Sequence, residues 1–156
     1  MARDDFTQAT INLLAKRVAN RCSNPACRCI TTGPHTDPSK VLNVGVAAHI
    51  TAASPGGPRF DEALSSAERK DAANGIWLCQ KCAKLVDNDA AQYPNDILLE
   101  WRTQAEEAAR VELETGQPPA IDQASIQFGI DNWRIWRSYS QKSWIGVPIR
   151  RRLLGG

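Results

Sequence analysis

Residues 74–89, NGIWLCQKCAKLVDND, decide how the rest of the chain is read. GIWLC is short, apolar and partly aromatic, follows an Asn-Gly turn, and so reads as a strand. After Cys79 the pattern turns helical over about residues 80–89, and Tyr93-Pro94 ends it, because a proline disfavours helical backbone in the residue before it. Cys79 and Cys82 therefore sit at x2 spacing where a strand becomes a helix. That is the spacing of a metal knuckle.

A second pair lies upstream, at Cys22 and Cys27. Thiols paired at short spacing in a chain without an apolar signal core are read as metal ligands before disulfides. Cys22, Cys27, Cys79 and Cys82 together give a four-thiolate zinc set, which would add folding energy that a small core lacks. Cys29 competes with Cys27 for the fourth place, at a less usual x6 spacing from Cys22, and is otherwise a small buried or surface thiol.

Around the knuckles the pattern predicts a mostly helical frame. A helix over about residues 6–20, capped by Asp4 or Asp5, carries Ile11, Leu14, Ala15 and Val18 on one stripe. VLNVGVAAHI, residues 41–50, is β-prone and delivers His49 near a strand end. SSAERKDA follows a Gly/Pro loop and forms a short helix capped by Ser65 or Ser66. A long helix capped by Asn95, with Ile97, Leu98, Trp101, Ala105, Ala108 and Leu113 roughly on one side, closes at Gly116. Residues 1–115 thus form one domain, 116–124 a linker, and 125–156 a segment holding three of the five tryptophans. That segment wraps the domain, docks on a partner protein, or opens a further domain.

The formal charge is +2, but residues 1–115 carry 13 Lys+Arg against 15 Asp+Glu and residues 116–156 carry 6 against 2. Whole-chain basicity is thus no argument for nucleic acid; a local one exists around the first knuckle, where Lys16, Arg17, Arg21, Arg28 and Lys40 face only Asp37. No apolar stretch reaches the roughly 20 residues of a membrane span, so no membrane partner and a cytoplasmic location are expected.

Helix, Cys-x4-Cys, strand ending in histidine, long loop, Asn-Gly, strand into Cys-x2-Cys, helix: over about residues 20–90 this order resembles the HNH endonucleases of the ββα-metal superfamily. The loop AASPGGPR and Asp87 look particularly like the HNH domains of bacterial antiphage systems. The resemblance implies an α+β fold, a ββα unit with a four-cysteine zinc site and helices at both ends. It implies DNA hydrolysis in a defence setting, with His49 as general base and Asn74 orienting the loop beneath it. Family members commonly place a metal-binding histidine after the second cysteine of this knuckle; Ala83 stands there, and Ala48 stands where an acidic residue often precedes the base. Two substitutes are expected: Asp87, one helical turn from position 83, as ligand for Mg²⁺ or Mn²⁺, or Lys84 as a fixed positive charge on the phosphate. Arg59, Arg21 and Arg28 are the expected phosphate contacts. The competing reading is a catalytically inactive zinc module that binds nucleic acid or a protein.

Overall fold

The computed structural model describes residues 3–117, which run in chain order through α1 (Gln8–Arg17), β1 (Thr32–Pro34), β2 (Val41–Asn43), β3 (Gly45–His49), α2 (Ser66–Lys70), a single 3-10 turn (Ala72–Asn74), β4 (Gly75–Cys79), α3 (Gln80–Asn88) and α4 (Asn95–Thr115). The expectations placed on residues 118–156, including the rest of the linker and the Trp-rich segment, lie outside the described residues. The class is mixed α+β, with two small antiparallel sheets, β1-β2 and β3-β4. Among the described residues no helix is long and apolar enough to cross a membrane.

β4 organises the rest. All five of its residues are buried, and because side chains alternate across a strand, it feeds two cores at once. Ile76 and Leu78 join Ala48, Ile50, Val86, Leu98 and the thiols of Cys22, Cys79 and Cys82. Trp77 points the other way, to Leu14, Ala15 and Val18 of the α1 segment and to Ala105 of α4. α4 serves both cores because Leu98 and Ala105, seven residues apart, lie on one stripe. The helix is tied to the 3-10 turn and to the first residue of β4 by Arg102, which donates to the carbonyls of Ala73 and Gly75.

β3 pairs with β4 in a register that sets Gly45 opposite Cys79 and His49 opposite Gly75. The strand predicted over residues 41–50 is in fact two: β2 pairs with β1, β3 with β4, and Val44 joins them, its N–H on the Thr31 carbonyl and its carbonyl on the Gln80 N–H. Gly45 explains why the second half can lie so close to β4. A Cβ there would fall 2.1 Å from Cζ2 of Trp77, so only glycine leaves the indole its place against Thr31, whose Oγ1 accepts the Trp77 N–H at 2.9 Å.

Four expectations about the helices are corrected. α1 is capped by Thr7, whose hydroxyl accepts the Thr10 N–H, and neither Asp4 nor Asp5 caps it. The helix is also shorter than predicted and turns back through Ala19 and Asn20, both at positive φ. Asn95 is the first residue of α4 with Pro94 at the cap; its buried side-chain oxygen has no protein partner among the described residues. Leu113, placed on the buried side of α4 by periodicity, is 86% exposed because the core ends before it. Ser65 does cap α2, with Glu68 completing a reciprocal capping box, and Gly116 ends α4 in the left-handed conformation.

Candidate metal centre and histidine cleft

The two knuckles meet because the first is hydrogen-bonded onto β4. Ser23 N–H donates to the Trp77 carbonyl, and Cys22 N–H to the Cys29 carbonyl, closing a tight loop over residues 22–29. Within that loop the Asn24 side chain accepts the Ala26 N–H, while its own amide donates to the Cys82 sulfur at 3.3 Å. The sulfurs of Cys22, Cys27, Cys79 and Cys82 all lie within 4.8 Å of one another. Cys27 and Cys79 are 3.9 Å apart. A tetrahedral zinc with Zn–S bonds of about 2.3 Å needs its sulfurs roughly 3.8 Å apart, so the donor set fits such an ion in both number and spacing.

The surroundings favour anionic sulfur at Cys79. Cys79 caps α3, accepting the Cys82 N–H at 3.4 Å. Burial pushes the Cys79 thiol up, but that N–H and the hydrogen bonds of the neighbouring thiols outweigh it and bring the group down to about 7. Burial holds the Cys22 and Cys82 thiols up, so metal binding there must displace protons. Cys29 lies 3.5 Å from the Cys27 sulfur but is exposed and outside the four-thiol cluster, so the geometry selects Cys27 over Cys29.

His49 stands at the end of β3 and lines a cleft of about 230 Å³ with Arg3, Ser54, Pro58, Ala83 and Asp87. Its Nε2 lies 2.9 Å from the backbone carbonyl of Asp4. A carbonyl only accepts, so Nε2 carries the proton and Nδ1 keeps the lone pair. Phe6 stacks on the imidazole, centroids 3.8 Å apart and planes within 5°. Burial lowers the His49 pKa below its ordinary 6.5, with the Asp4 carbonyl opposing the shift and Arg3 adding to it. The ring is therefore neutral near pH 7, the form a base requires.

Asn74 is buried and clamps the chain just beyond the histidine. Its amide oxygen accepts the Thr51 N–H and its nitrogen donates to the Thr51 carbonyl, both at 2.9 Å, with a further bond to the Arg69 carbonyl. Asp87 lines the histidine cleft, whereas Lys84, exposed on α3, is not among its lining residues. Arg59 turns inward instead of toward a ligand. Its side chain is only 5% exposed, and it donates to the carbonyls of Ile50, Val86 and Tyr93 and to Asp87 at 3.1 Å.

The basic patch around the first knuckle is also largely paired, in part by acids of α4 some 90 residues away in sequence. Arg17 binds Glu106 and Arg21 approaches Glu112 at 3.9 Å, while Lys40 pairs with Asp37. Arg28 reaches the Cys22 carbonyl. Arg21, Arg28 and Arg59 thus each have a partner within the fold. Residue patterns alone missed Arg3, Asp4 and Phe6, which reach the histidine from the N-terminal segment; nothing in their local sequence marks that contact. Neither family models nor curated protein sequences match this chain.

Proposed function

We propose that the chain is an HNH-type endonuclease that hydrolyses phosphodiester bonds of DNA, with zinc held structurally by Cys22, Cys27, Cys79 and Cys82. The observation that carries this reading is His49: a neutral, half-buried imidazole with Nε2–H engaged on a carbonyl and Nδ1 left basic, lining a cleft with a carboxylate. Nδ1 takes a proton from water as it attacks phosphorus, and the ring returns one later in the cycle. Asn74 keeps the loop behind His49 in place. A divalent ion such as Mg²⁺ or Mn²⁺ would neutralise charge on the phosphate. Asp87 would hold it: Arg59 occupies one carboxylate oxygen and leaves the other, and magnesium sites commonly need only one or two carboxylates beside substrate oxygens. Bacterial antiphage defence is the setting that the sequence resemblance supports.

Ala83, in the cleft where such enzymes commonly offer a histidine, favours a second reading: a zinc module that binds nucleic acid without cutting it. Plasmid cleavage by zinc-loaded protein in Mg²⁺, Mn²⁺ or EDTA, beside His49→Ala, separates the two. Divalent-dependent nicking lost in the variant supports the nuclease; salt-sensitive DNA binding with no nicking under any ion supports the module.

A further inference from the structure

The N-terminal segment reaches His49 with two groups, a carbonyl edge-on and an aromatic ring face-on, and it is held there by one residue, Asp4. The Asp4 carboxylate is buried against α2, accepting from the Ser66 hydroxyl at 2.5 Å, from Arg69 Nε at 2.8 Å, and pairing with Lys70 at 3.2 Å. The Asp4 N–H bonds the Ala53 carbonyl at 3.0 Å. Asp4 thus binds α2 through its side chain, the loop after β3 through its N–H, and His49 through its carbonyl. The Ser66 hydroxyl bond, together with the two cations, holds the carboxyl well below the usual carboxylate range, so the anchor stays charged across neutral pH. Gly75, opposite His49 in the sheet, leaves room for this arrangement: a Cβ there would lie 3.2 Å from the Phe6 ring and 2.4 Å from Leu14.

We propose that residues Asp4 and Phe6 are positioning residues of the site, a strap pinned to α2 that fixes the tautomer and plane of His49 so that Nδ1 is the basic atom. This rests on the nuclease reading for its consequence, but the tautomer itself can be read without any activity. The reason for so elaborate an anchor is physical. An imidazole has two near-equivalent neutral tautomers, and only a fixed acceptor at one nitrogen assigns the base to the other. A carbonyl supplied from a segment 45 residues away in sequence serves as a fixed acceptor only if its own residue is tied down, as Asp4 is.

The test uses the full chain, zinc-loaded and ¹⁵N-histidine labelled; with two histidines in the sequence, His49→Gln assigns the signals. Long-range ¹H–¹⁵N correlation should show His49 as a single Nε2–H tautomer in the parent. Asp4→Ala should convert it to a mixture and lower kcat about tenfold with KM little changed, a part of the roughly 10²–10⁴ that a general base supplies. Ser66→Ala, which removes one anchor and leaves the charges, should give a smaller change in the same direction and guards against an Asp4 variant that fails to fold. Glu107→Ala, at an exposed ion pair with Arg110, should leave the spectrum unchanged. A parent spectrum of mixed or Nδ1–H tautomer overturns the strap, as does an unaltered tautomer in folded Asp4→Ala. Absence of cleavage by the parent under every ion strikes the nuclease reading alone.

Discussion

At the scale of single residues, His49 carries the sharpest consequence. Its pKa in the fold lies below the 6.5 of the free side chain because the ring is buried, so the unfolded chain takes up a proton first as pH falls. Stability is therefore full above 6.5 and is lost as pH drops through the lower folded value. His49→Gln should flatten that part of a stability-against-pH curve from urea melts. Likewise, the acid limb of any cleavage profile should fall below pH 6.5; a limb above it would contradict a desolvated base. Asn74 was legible as a position but not as a clamp: Asn-Gly before a strand is a common turn, and only the fold brings Thr51 against it. Asn74→Ala leaves Thr51 N–H and C=O unpaired in a buried place and should cost about 2–6 kcal/mol by urea denaturation, from the roughly 1–3 kcal/mol typical of each stranded group.

At the scale of elements, the helices were read well in kind and poorly at their ends. Ser65 and Gly116 were recognisable because a capping box and a left-handed glycine depend on neighbours in sequence. Asp4 misled because its carboxylate has better partners in α2 than the open N–H groups of α1, and Thr7 caps instead. Thr7→Ala should destabilise the fold by about 1 kcal/mol in thermal melts with no change in zinc content. The break of the predicted strand at Val44 was invisible locally, since residues 41–50 are uniformly β-prone; two different pairing partners divide them. Gly45→Ala probes that division. Its Cβ collides with Trp77, so the ring or the strand must move, at about 1–3 kcal/mol and with altered tryptophan fluorescence. Native stability and emission in that variant would show the contact to be softer than drawn.

At the scale of the molecule, the four thiols bind the loop over residues 22–29 to the β4–α3 corner, so metal should stabilise the whole fold. Elemental analysis should find one zinc per chain, retained in Cys29→Ser and lost in Cys27→Ser, and a strong chelator should lower the melting temperature of the parent. Equal zinc loss in both cysteine variants would reverse the choice between them. The sequence by itself determined that thiols fall in two short-spaced groups, where strand gives way to helix, and that a histidine ends a strand, because spacing, hydrophobic period and turn chemistry act over a few residues; the choice of Cys27 over Cys29 needed the fold. Only the tertiary structure decided which arginines are free. Arg17, Arg21 and Arg59 find their acids or carbonyls tens of residues away, and charge counted along the chain cannot see that. The tertiary structure likewise decided what holds His49. An imidazole takes its tautomer from whatever acceptor lies against it, and here that acceptor is the Asp4 carbonyl, 45 residues upstream, fixed in place by α2.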